Sequence, residues 1–207
     1  MNVGAREAFD LAVAWIALGV AFTVFLQREL VNVLFGGLAG TVPEGLVAAA
    51  GQAFALSMVT VGVGFLLHEL AHKVVAIRFG QRAQFRADYG MLLLAIAGAF
   101  AGFLFAAPGA VYHRGRITAR QNGLIALAGP ITNLLLALLF APLLTVSGFL
   151  GEVGVLGVGI NLLLAGFNMI PFGPLDGRSV LRWSKVVFAL VFVPSAALAV
   201  FGLLFVF

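Results

Sequence analysis

The sequence predicts an all-α polytopic membrane protein with about five transmembrane helices and one re-entrant or hairpin segment near 85–116. Three observations predict it. Hydrophobic residues make up 62% of the 207 residues and charged residues 10%, with a mean hydropathy of +1.13; a soluble domain carries about 25% charged residues to cover its surface. Five apolar runs reach the roughly 20 residues that cross a bilayer. The basic residues fall in short loops between those runs, a topology signal and not a nucleic-acid signature.

The first run, 8–27, follows Arg6 and Glu7 and has no small-residue cleavage site after it, so it reads as a retained span. The second, 46–77, is the longest. In it 23 uncharged residues separate Glu44 from His68, about 35 Å of helix, which puts His68 near the far end of the crossing. The others are 123–146, 153–170 and 186–206. The run 91–111 is rich in Gly and Ala, contains Pro108-Gly109, and has basic loops on both sides. If it returns to its own side, eleven of the twelve basic residues share one side and only Arg28 lies opposite; if it crosses, they split seven to five. The positive-inside rule selects the first arrangement and places the N-terminus, the His68 end and the last loop in the cytoplasm. Re-entrant backbone has to be buried in protein or line water, which implies a cavity. No internal repeat or soluble appendage is visible, so residues 1–207 read as a single membrane-embedded domain, in a multi-pass protein of the cell membrane. The absence of cysteine excludes disulfides, zinc ribbons and thiol catalysis.

The chemistry lies in HELAH, residues 68–72. Residues four apart share a helix face, so His68 and His72 project together and can grip one metal ion. Glu69 is rotated by about 100°, close enough to reach water at the metal without being a ligand. Two imidazoles and a general base suit zinc, although cobalt or iron fits the same donors. A catalytic site needs a third protein ligand. Asp176, in NMIPFGPLDG (168–177), follows Pro171 and Pro174, which unwind the chain at the end of the fourth run. Asp88 is the other candidate, but it lies between Arg82, Arg86 and the apolar run and reads as their surface partner. Asn133, in AGPITN (128–133), and Asn168 are candidate donors to the oxyanion of a tetrahedral intermediate. Each could equally bond a neighbouring helix, the reading that fits Asn161 best. His113, among basic residues, reads as solvated, and Gly154, Gly157 and Gly159 as close helix packing.

Three motifs in order, HELAH at 68–72, AGPITN at 128–133 and NMIPFGPLDG at 168–177, resemble those of the site-2 proteases, which are intramembrane zinc metalloproteases. The resemblance implies a three-helix catalytic core over about 46–177, formed by the second, third and fourth runs, with a hairpin between the first two of these. It implies one Zn²⁺ per chain on His68, His72 and Asp176, Glu69 as base, and Asn133 near the scissile carbonyl. The implied activity is metalloendopeptidase hydrolysis of peptide bonds in or near transmembrane segments, that is, regulated intramembrane proteolysis. The partners would be a membrane-protein substrate and the lipid bilayer, with no nucleic acid. No PDZ-like insertion or CBS domain is present. The substrate has to be locally extended, and a strand edge in 85–116 could hold it by β-augmentation. Two rival readings use the same residues: a membrane metal-ion transporter, and an inactive membrane scaffold. Transport is disfavoured by the lack of inverted repeats, and an inactive scaffold by the intact Glu69.

Overall fold

The computed structural model describes residues 3–35, 43–104 and 108–205. Among the described residues five helices are long and apolar enough to cross a membrane, over Ala5–Leu26, Leu46–Arg78, Ala119–Thr145, Phe149–Asn168 and Lys185–Gly202. They match the five predicted runs within a few residues; residue 206 of the last run and 105–107 of the ambiguous one lie outside the described residues.

In chain order, α1 (Ala5–Leu26) leads into the short α2 (Arg28–Phe35), and α3 (Leu46–Ser57) continues through one π-helical turn, Met58–Gly62, into α4 (Val63–Arg78). A π turn displaces backbone carbonyls from the regular ladder and needs outside partners. Here the indole of Trp15 in α1 donates to Met58 O at 2.9 Å. Gly62 leaves room for that indole, because a Cβ there would collide with it.

Residues 82–114 form the segment that the charges predict to turn back. Strands β1 (Arg82–Ala87) and β2 (Gly109–Arg114) pair antiparallel, with Ala87 opposite Gly109, around helix α5 (Tyr89–Ala101). The chain therefore comes back to where it left. With 13 residues, α5 is about 20 Å long, short of the roughly 30 Å hydrocarbon core. Asp88 caps its start, accepting from Met91 N, and Arg28 donates to Ala99 O near its end at 2.9 Å. Asp88 thus serves as a helix cap, and among the described residues it makes no ion pair with Arg82 or Arg86; the described residues also contain one two-stranded sheet beside the helices.

The centre of the bundle is α4 packed on α6 (Ala119–Phe140), and α6 packed on α7 (Phe149–Asn168). The amphipathic α8 (Asp176–Trp183) crosses the end of α6, and α9 (Lys185–Phe205) flanks α7. A capping box of Thr118 and Gln121 starts α6. On the opposite flank α1 packs against α5 and β1. Glycines let α7 approach its neighbours: a Cβ at Gly154 would strike Leu143 and one at Gly157 would strike the Phe140 ring.

Candidate metal centre

Three elements bring the predicted metal ligands together. His68 and His72 lie one turn apart on α4, with ring centroids 4.6 Å apart. Asp176 is the first residue of α8. It reaches them because α7 ends at Asn168 and the Pro-rich stretch 169–175 turns the chain back, with Gly173 at φ +58. Gly177 completes the turn by lying against the Met169 carbonyl, where a Cβ would collide. Asp176 Oδ2 stands 3.3 Å from His68 Nε2 and 3.4 Å from His72 Nε2. One ligand atom from each of the three residues falls within 4.8 Å of the others.

The donor set fits a zinc ion. Ligand atoms about 2.0–2.1 Å from a tetrahedral zinc are about 3.3–3.4 Å from one another, which is the separation seen from Asp176 to each imidazole. Both rings turn Nε2 inward because Nδ1 is engaged elsewhere: His68 Nδ1 lies 2.5 Å from Asn133 Oδ1 and His72 Nδ1 lies 2.7 Å from Ile125 O. With an acceptor at each Nδ1, the proton sits there and Nε2 keeps its lone pair. Gly129 of α6 packs directly over the site; a Cβ would strike Nε2 of both rings.

Glu69 is buried beside the cluster, and its Oε2 has no hydrogen-bond partner. The backbone N–H of Val111 in β2 points at the same carboxylate. His113, on the face of β2 shared with Val111, is half-buried, and burial together with the nearby His72 lowers its pKa. His113 is therefore less solvated than its basic neighbours in sequence suggest, because the sheet packs onto α4.

The two asparagines part company. Asn133 is fully buried. Its Oδ1 accepts from His68, and its Nδ2 donates to Gly64 O at 3.2 Å and to Asn161 Oδ1 at 2.8 Å. Both N–H groups are used, so Asn133 orients His68 and has no donor left for an oxyanion. Asn161 extends the chain by donating to Gly157 O. Asn168 is partly buried and donates to Leu164 O, four residues back on its own helix. Sequence reasoning missed Ile125 O, a backbone group with no side-chain signature, and saw Asn161 only as a packing residue.

It also missed a second buried cluster. Lys73 Nζ lies 2.6 Å from both oxygens of Glu7, and Glu7 Oε1 accepts from Phe85 N at 3.0 Å. Both charged residues are buried, and the contacts tie α1, the metal-bearing α4 and β1 together.

Relatives of the chain are named for zinc-dependent proteolysis. The chain is 41% identical over 175 residues to a protein of Methanocaldococcus jannaschii named "Putative zinc metalloprotease MJ0611", covering 82% of this chain and 92% of that one. The chain belongs to the intramembrane zinc metalloprotease family. The protease is also 32% identical over 150 residues to "Putative zinc metalloprotease YwhC" of Bacillus subtilis, covering 60% of this chain and 67% of that one. It is 29% identical over 136 residues to "Zinc metalloprotease MJ0392" of M. jannaschii, covering 62% of this chain and 34% of that one. No protein-family model matches the protease, and no solved structure matches it.

Proposed function

We propose that residues 1–207 form one membrane-embedded protease domain holding one zinc ion on His68, His72 and Asp176, with the site open to the cytoplasm. Its reaction is hydrolysis of a peptide bond in or near a transmembrane segment of a membrane protein. The observation that carries this reading is the buried His68–His72–Asp176 cluster with an unpartnered Glu69 carboxylate oxygen beside it. The ion supplies Lewis-acid polarisation of the scissile carbonyl and acidifies water at the site.

The protein's residues do the rest. Glu69 accepts the proton of the attacking water at Oε2 and returns it to the leaving amide nitrogen. Asn133 and Ile125 O hold the two imidazoles in the tautomer that turns Nε2 inward. Asn168 is satisfied by its own helix and is assigned no part in the chemistry. The substrate is held as an extended strand beside β2, whose Val111 N–H lies at Glu69. Cytoplasmic orientation rests on the eleven basic residues that share one side.

Neither rival gains from the structure. A transport site or an inert scaffold has no use for a buried carboxylate with an unpartnered oxygen next to the ligands. The test is cleavage of a single-span reporter in proteoliposomes, with zinc measured on the same preparation. Glu69→Gln lowers the cleavage rate by about 10²–10⁴-fold and leaves zinc content unchanged. Full activity in that variant would sink the mechanism, and zinc flux without cleavage in the wild type would favour transport.

A further inference from the structure

The outer face of the sheet gathers charge that the proteolytic site does not use. Paired residues share a face, so Arg82, Gln84 and Arg86 of β1 stand with Arg114 and Tyr112 of β2, on the side opposite Phe85 and Val111. Arg82 is paired directly with Arg114, a like-charge contact that is destabilising unless something negative lies across it. Arg6 of α1 joins them around a cavity of about 950 Å³.

The acids that line this cavity are already engaged. Glu7 is held by Lys73 and Phe85 N. Asp10 accepts from Tyr89 Oη at 2.6 Å and lies 3.6 Å from Arg86 Nη1. Among the described residues Arg6, Arg82 and Arg114 make no ion pair. Arg86 is engaged: its Nη2 donates to Gln84 Oε1 at 3.0 Å and its Nη1 faces Asp10. Three arginines without an ion pair, Arg6, Arg82 and Arg114, line one cavity, and guanidinium groups match the tetrahedral oxygens of a phosphate.

The surroundings say which phosphate. The cavity lies where α1 enters its span, and Tyr89 and Tyr112 stand at its edge, 51% and 65% exposed. Tyrosines at that level mark the headgroup region of a bilayer. Phe9, 61% exposed on α1, begins the apolar surface next to it. We infer that this cavity binds the phosphate headgroup of an anionic phospholipid, with the acyl chains lying along α1. A free phosphate would leave the aromatic edge and Phe9 unused, and so would an acidic peptide.

The test reads binding and not cleavage, so its outcome is independent of the proteolytic proposal. Full-length protein in neutral detergent is titrated with short-chain phosphatidylglycerol, with short-chain phosphatidylcholine, with inorganic phosphate and with an acidic peptide, and bound ligand is counted by native mass spectrometry. Phosphatidylglycerol should bind saturably, one per chain, and phosphatidylcholine should not. A guanidinium at the membrane surface is worth roughly fivefold, so R82Q/R114Q should weaken binding about 30-fold. Arg6→Gln, outside the sheet, should weaken it about fivefold. A control pair at the same end, R116Q/R120Q, should change it less than about twofold. Equal weakening in the control pair would reduce the effect to diffuse charge and overturn the site. Inorganic phosphate binding as tightly as the lipid, or the acidic peptide displacing it at lower concentration, would overturn the lipid assignment.

Discussion

Two buried polar clusters sit side by side on α4, and they are built in opposite ways. At Lys73 the charge is matched: its Nζ reaches both oxygens of Glu7, which also takes the Phe85 amide. One residue earlier the arrangement is deliberately incomplete. His68 and His72 spend Nδ1 on Asn133 and Ile125 and turn Nε2 toward Asp176, while Glu69 Oε2 has no partner. A closed cluster fixes helices and a strand in place. An open one stores coordination capacity and basicity, which chemistry needs and folding alone does not provide. Burial by itself does not tell the two apart in kind, since both are largely withdrawn from solvent; the unpaired atoms do.

Removing one metal ligand should separate the clusters most sharply. Asp176→Ala should cost more than the roughly 100-fold in metal affinity that follows loss of an outer partner, with cleavage lost in parallel and the fold retained. Zinc content by mass spectrometry and the thermal unfolding of the apoprotein check both halves. Retained zinc would dissolve the contrast.

Lys73→Met should do the reverse. It leaves Glu7 buried without its cation and should destabilise the protein by about 3–5 kcal/mol. Adding Glu7→Gln, which keeps an acceptor for Phe85 N, should recover most of that loss in denaturant unfolding. Zinc affinity of the folded fraction should be unchanged.

Asn133→Ala tests the link between orienting and binding. Zinc affinity should fall about 10–100-fold in competition with a chelator, together with a stability loss of about 1–3 kcal/mol from the groups it leaves unpaired. A stability loss without any change in affinity would make Asn133 a packing residue only. Asn168→Ala should have the smallest effect, less than about threefold on the cleavage rate, because its amide is engaged with Leu164 O. A fall of about 10² or more would return it to the oxyanion.

Much of this was legible beforehand because it is local. The five spans follow from apolar runs, and HELAH carries its own geometry through the helical repeat. The turn-back of 82–114 followed from charge counting, since crossing would have split the basic residues between the two sides. A strand edge in 85–116 was expected, but its bounds and pairing were not legible: Arg82–Ala87 and Gly109–Arg114 are six residues each, and they pair across a helix. The same limit explains Asp88, whose arginine neighbours in sequence drew attention from its capping position on α5.

The sequence by itself determined a membrane protein with two imidazoles and a carboxylate on one turn of helix, and it marked where the chain must break to present Asp176. Only the tertiary structure decided how each of these groups is used. Whether Asn133 faces a substrate or His68, whether Glu7 is free or locked to Lys73, and whether His113 is wet or half-buried depend on which helix lies across from them. The first two of those contacts join residues 65 and 66 positions apart, and no periodicity within one segment encodes a partner at that distance.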